Sequence, residues 1–209
     1  MRFLWRPSSV ADCERLTTPV SQVMFGGMIT TQHTAASGQF FVAAELSRRG
    51  WAVGLTRAGM KNTDILAEHT ATGKVVVIQL KASTGNSFTL SGKNEEPSPA
   101  ENHWFAFIAL GALGDQPDYF LLPHDAVAEI CYVEHRVWMT KLTKHGEPHN
   151  ENPRRGIAVA HLLESQRDWG RLLAPPPRLA DELSPHFQQV FVEAKQRGIV
   201  WPGTSKRPK

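Results

Sequence analysis

The chain has 209 residues, 41% of them hydrophobic, which is enough for one globular domain with a real core. No apolar run approaches the roughly 18 residues of a membrane span, and the opening MRFLWRPSSVADCERL lacks a signal-peptide stretch, so a soluble, cytoplasmic protein is expected. The formal charge of +3 permits nucleic-acid binding without arguing for it, and the two cysteines, Cys13 and Cys131, lie too far apart in sequence for zinc or redox spacing.

Residues 1–30 show no sustained period and read as an irregular N-terminal extension. From Gly38 to Arg49 the apolar positions Phe40, Phe41, Ala43, Ala44 and Leu46 predict a helix, with Ser37 as its N-cap and Gly50 as its terminator. Trp51 to Thr56 and Thr63 to Glu68 read as short strands around a turn containing Gly59. The run Lys74 to Lys81, dense in β-branched residues, is the strongest strand in the sequence. Residues 82–102 are polar and predict loops around one short strand at Phe88-Thr-Leu.

Trp104 to Leu110 and Tyr119 to Leu122 predict neighbouring strands of the same sheet. A short helix is expected over 123–130, an extended segment over 131–140, a polar loop over 145–155 and a helical stretch over 159–173. Ala174-Pro-Pro-Pro-Arg178 is a stiff connector, because each proline fixes its own backbone. A last helix is expected from about Asp181 to Arg197, docking through Leu183, Phe187, Val190, Phe191 and Ala194, before a basic tail. The domain reading is therefore an extension over 1–30, a catalytic-type domain over 31–173, and a connector, helix and tail over 174–209.

Chemistry concentrates in the second and third predicted strands. A linker from Glu68 to Lys74 containing Thr72-Gly73 implies a hairpin that sets Asp64 beside Gln79 and Lys81. Side chains alternate along a strand, so Gln79 and Lys81 share one face while Leu80 turns to the other. Asp64 and the Gln79 amide are hard oxygen ligands of the kind Mg²⁺ or Mn²⁺ takes, and the Leu80 carbonyl can add a third. The spacing D-x(14)-Q-x-K is unspecific by itself, and an ordinary strand-edge acid followed by a solvated lysine would produce it too.

In sequence order, Gly38-Gln-Phe-Phe-Val-Ala-Ala-Glu-Leu-Ser-Arg-Arg-Gly50, Asn62-Thr-Asp-Ile-Leu-Ala67 and Val75-Val-Val-Ile-Gln-Leu-Lys81 make up a recognisable set. It resembles the PD-(D/E)xK nuclease superfamily, in a variant with Q-x-K, closely over residues 38–81 and loosely up to about 122. The resemblance implies an α/β fold with a restriction-endonuclease-like core, a central mixed β-sheet flanked by helices. It also implies Mg²⁺-dependent hydrolysis of nucleic acid, DNA rather than RNA, with Asp64, Gln79, Lys81 and Gln39 as the catalytic set and Asp64, Gln79 and Leu80 holding the metal.

This chain departs from the family pattern at two places. Gln79 stands where the second acidic ligand is most often found, and Gln39, eleven residues before Gly50, matches a position where many relatives carry Glu. Glu45, six residues later, falls on a different face of the helix. Fewer carboxylates mean weaker metal binding, which leaves a non-catalytic nucleic-acid-binding or assembly module on the same scaffold as the alternative. Arg48, Arg49, Arg57, Lys61 and Ser83 surround the motif as candidate phosphate contacts. A paired cut requires two active sites, and a homodimer is the symmetric way to supply them.

The remaining candidates read as structure. His145-x-x-x-His149 has metal-ligand spacing only on a helix, and Gly146 and Pro148 argue for a surface loop instead. Trp104-Phe-Ala-Phe-Ile is a continuous apolar run and belongs to a buried strand rather than to a base-stacking surface. His33, His103 and His124 carry no pattern that ties them to the site.

Overall fold

A computed structural model describes residues 30–56, 62–98 and 100–203. The expected N-terminal extension, the Gly59 turn, Arg57, Lys61 and the basic tail lie outside the described residues.

Helix α1 (Thr31–Arg48) begins seven residues earlier than its apolar pattern suggests. Its N-cap is Thr30 rather than Ser37: the Thr30 hydroxyl accepts the His33 N–H, and the His33 ring reaches back to the Thr30 N–H. That reciprocal box satisfies two otherwise orphaned donors and extends the helix over a stretch with little apolar signal. At the other end Gly50 adopts φ +81°, the left-handed geometry that ends helices and favours glycine.

Strands β1 (Trp51–Leu55), β2 (Ile65–His69) and β3 (Val75–Ser83) follow as an antiparallel meander. The β2–β3 turn closes through Gly73 at φ +68°, with the His69 N–H bonded to the Lys74 carbonyl. The chain then forms β4 (Ser87–Ser91) and a 3-10 turn over Gly92–Glu95. It returns as β5 (His103–Ala109), parallel to β3, and β6 (Asp118–Pro123), antiparallel to β5. The result is a mixed five-stranded sheet in the order β1-β2-β3-β5-β6, flanked by helices, as expected.

Period-2 alternation sends the two faces of this sheet to different cores. Ile65, Val76, Ile78, Trp104, Ala106, Ile108 and Leu121 pack under Val42 and Leu46 of α1. Phe105, Phe107, Phe120 and Leu122 pack under Val127, Ile130 and Cys131 of α2 (His124–Met139). The continuous apolar run of β5 is thus buried on both sides, as a strand between two helical layers must be.

Four expectations need correction. α2 runs to Met139, so residues 131–140 are helical and not extended; Val133 and Val137 recur at four-residue spacing on its buried side. Residues 159–173 form three 3-10 turns instead of a helix. The last helix is split into α3 (Leu179–Glu182) and α4 (Pro185–Gln196), because Pro185 lacks the N–H an uninterrupted helix needs and opens a new first turn. Finally β7 (Arg154–Ala158) pairs with β4 in a second, two-stranded sheet that the polar reading of 145–155 did not foresee.

α4 docks on α2 with Phe187 and Ala194 buried and Val190 and Phe191 packed against the same core. Beyond it the buried Trp201 donates its indole N–H to the Glu95 carbonyl at 2.7 Å, tying the chain back to the 3-10 turn after β4.

Candidate active site

The site grows from the place where β2 and β3 part company. Their ladder ends with Ile65 opposite Ile78. One residue before that pair, Asp64 still bonds β3 through its own N–H to the Ile78 carbonyl at 2.9 Å. Its carboxylate then substitutes for the next residue of the ladder: Oδ2 accepts the Leu80 N–H at 2.6 Å. The side chain is therefore held against the edge of β3, level with the peptide between Gln79 and Lys81. A residue's N–H and C=O leave a strand on the same side, so the Leu80 carbonyl projects from this edge as well.

The Asp64 main chain is clamped from two other elements. Its carbonyl accepts the Thr56 N–H at the end of β1 and the Gln39 Nε2 amide of α1, at 3.1 and 2.9 Å. Gln39, which the family resemblance put in the catalytic set, thus bonds the backbone of Asp64 and not its carboxylate. Gln39, Asp64, Leu80 and Ala82 line a pocket of about 200 Å³ on the α1 side. α1 comes this close because Gly38 has no side chain: a Cβ there would lie 2.7 Å from the Ala82 Cβ.

Gln79 and Lys81 leave β3 on the opposite, α2-facing side, and neither lines that pocket. The edge at Leu80 is what the two faces have in common. Lys81 is half-buried and has no ion pair among the described residues. Burial pulls its ammonium below the ordinary lysine range, and the negative charge of Asp64 raises it again in part. Gln79 is buried, and its Oε1 has no hydrogen-bond partner among the described residues. An unmatched buried amide oxygen costs about 1–3 kcal/mol, so a position that retains one is suited to a cation or a bound water.

The donors present fit a hard divalent cation: one carboxylate, a buried amide oxygen and a strand-edge carbonyl. They form a weakly charged set, and no cluster of three or more His, Cys, Asp or Glu side chains that could hold a metal occurs among the described residues. Asp64 is the charged member of the set.

The candidate phosphate contacts are not gathered at this point. Arg48 and Arg49 sit nine and ten residues along α1 from Gln39, roughly 14 Å by helical rise, and both pair with Glu45. Arg49 also lies over the Trp169 ring at 5.1 Å. Ser83 ends β3, and its hydroxyl accepts the Gly85 N–H at 3.0 Å, opening the loop that follows. His145 and His149 occupy a surface loop, with His149 stacked on Trp138 at 3.9 Å.

One residue near the site carried no signal in the sequence. His103, the first residue of β5, makes a 2.8 Å contact from Nε2 to the carbonyl of Asn62. Only the three-dimensional register joins two positions 41 residues apart.

No helix among the described residues is long and apolar enough to cross a membrane. No protein-family model matches the chain, and neither does any curated protein. Among solved structures the chain is similar to the bacterial homing endonuclease I-Ssp6803I, at 10% identity and a TM-score of 0.37, covering 83% of this chain and 100% of that one. A similarity this slight carries no functional argument.

Proposed function

We propose that this chain is a metal-dependent endonuclease that hydrolyses phosphodiester bonds of nucleic acid, DNA rather than RNA. The observation that carries the reading is the seating of the Asp64 carboxylate on the Leu80 N–H at 2.6 Å, at the open strand edge between Gln79 and Lys81. The buried, unpartnered oxygen of Gln79, the residue next to Leu80 on β3, supports it. Asp64, Gln79 and the Leu80 carbonyl would hold Mg²⁺ or Mn²⁺. When bound, such an ion polarises the phosphoryl oxygen and lowers the pKa of attacking water.

The chain's own groups do the rest. Lys81, its proton loosened by burial, donates hydrogen bonds to the attacking water and to the charge that builds on the phosphoryl oxygens. Gln39 and Thr56 keep the Asp64 backbone from moving when the carboxylate is pulled toward its ligand. Ser83, two residues beyond Lys81 on the same strand, offers a hydroxyl to an adjacent phosphate, and Arg48 and Arg49 meet the backbone farther along α1. A paired cut of both strands would use two such sites, which a homodimer supplies by symmetry.

The neutral residues at positions 39 and 79 favour one rival, a nucleic-acid-binding module without catalysis. The test incubates the chain with duplex, single-stranded and branched DNA, in Mg²⁺, in Mn²⁺ and in chelator. Nicking that needs the metal and disappears in Asp64→Asn is the expected result. DNA binding with no metal-dependent cutting of any substrate selects the binding module instead.

A further inference from the structure

The segment that delivers Asp64 is held by a group that plays no part in the chemistry above. Asn62, two residues earlier, sits at φ +59°, the sole positive φ of a non-glycine residue among the described residues. Asparagine is among the few residues with a side chain that adopt this conformation readily, as suits a tight turn. The His103 ring contacts the Asn62 carbonyl at 2.8 Å, and a carbonyl only accepts, so Nε2 carries the proton. Nδ1 is then left without the proton and lies 3.0 Å from Ser98 Oγ, whose own single proton is directed to the Ala100 carbonyl at 2.8 Å. Ser98 is itself anchored, its N–H donating to Asp125 Oδ1 at 2.7 Å at the start of α2. The ring cannot swing away, because His124 stacks on it at a centroid distance of 4.4 Å.

We propose that His103 is a positioning residue, which fixes the Asn62–Asp64 turn from β5 and thereby holds the Asp64 carboxylate on the Leu80 N–H. The His103 imidazole bonds the backbone that carries Asp64, and on its other side it packs against Ser98, whose N–H is tied to Asp125 in the first turn of α2. Together with Gln39 from α1, Thr56 at the end of β1 and Ile78 from β3, it secures the Asp64 segment from four separate elements. Burial, with His124 beside it, pushes the His103 pKa down to about 4, so at neutral pH the ring remains a neutral Nε2–H donor. The catalytic consequence rests on the nuclease reading, whereas the positioning itself does not.

The experiment compares His103→Leu, His103→Asn and His103→Gln in the full chain. A glutamine amide nitrogen reaches about where imidazole Nε2 sits, an asparagine falls short, and leucine donates nothing. Two quantities are read: hydrogen exchange at the Leu80 amide, and the kcat and KM of metal-dependent nicking. Exchange at Leu80 should quicken about three- to tenfold in His103→Leu and His103→Asn, the range of one hydrogen bond, and return to within about twofold in His103→Gln. Nicking should follow in kcat with KM unchanged. Equal acceleration of exchange in all three variants would mean a merely structural role and overturn the proposal, as would no acceleration in any. If the wild-type chain cuts nothing, the nuclease reading fails, and the Leu80 exchange pattern still decides whether His103 positions Asp64.

Discussion

Gly38→Ala sets two known effects against each other, and the structure says which wins. Gly38 lies in the interior of α1, where alanine is favoured over glycine by about 1 kcal/mol in helix propensity. The new Cβ would stand 2.7 Å from the Ala82 Cβ, about 1 Å inside the distance at which carbon atoms attract. The Ala82 Cβ is fixed to the backbone of β3, so the contact is relieved only if the helix backs off the sheet. Overpacking of this kind costs about 1–3 kcal/mol, leaving a net destabilisation between about 0 and 2 kcal/mol where propensity alone forecasts a gain. The shift also draws away Gln39, the next residue, whose amide must stay 2.9 Å from the Asp64 carbonyl. Urea unfolding followed by circular dichroism should therefore show a lower midpoint for Gly38→Ala. In an Ala82→Gly background, where the opposing atom is gone, the same change should stabilise, giving a coupling of about 1–3 kcal/mol in the double-mutant cycle. A stabilising Gly38→Ala with additive behaviour would refute the close α1–β3 packing beside the site.

Three other outcomes follow from the same geometry. Phe187 is 1% exposed under α2, so Phe187→Ala should cost about 3–5 kcal/mol in urea unfolding, whereas a change within half a kcal/mol or so would mean α4 is not docked. Gln79→Glu adds a full charge to the ligand set, worth about 1–4 kcal/mol at contact distance, and should tighten Mn²⁺ binding at least about fivefold by calorimetry; unchanged affinity would exclude Gln79 as a ligand. His103, with a folded pKa of about 4 against 6.5 unfolded, takes its proton more readily in the unfolded chain, so stability contributed above pH 6.5 is lost as pH falls through 4. The loss of stability between pH 6.5 and 4 should accordingly be smaller in His103→Gln, and an identical slope would place the acid sensitivity elsewhere.

What the sequence made legible was local. The β2–β3 hairpin needed only a glycine turn and two β-rich runs, so the pairing of the strands that carry Asp64 and Gln79–Lys81 could be read within twenty residues. Strand alternation likewise placed Leu80 opposite Gln79 and Lys81. The extent of α2 was obscured by Val133 and Val137, β-branched residues that suit strands as well as buried helix faces. The start of α1 depended on the reciprocal Thr30–His33 cap, which is not one of the usual Ser/Thr-x-x-Glu signatures. The pairing of β4 with β7 and the contact of His103 with Asn62 join distant parts of the chain, and no local pattern encodes such a register. Gln39 shows the limit most clearly: the family resemblance singled it out, but only the fold reveals that it grips the Asp64 backbone and leaves the carboxylate to Leu80.

If the strand edge at Leu80 is a site of hydrolysis and not merely of binding, Lys81→Ala separates the two. If Lys81 acts on charge that develops only in the transition state, its removal costs rate and spares affinity, since ground-state binding is shared among several phosphate contacts. Nicking of duplex DNA in Mg²⁺ and binding in chelator should be measured on the same preparations of wild type and variant. Nicking should fall by about 10²–10³-fold while DNA affinity stays within a few-fold of wild type. Undiminished nicking in Lys81→Ala, or wild-type protein that binds DNA and never cuts it, would contradict hydrolysis at this edge.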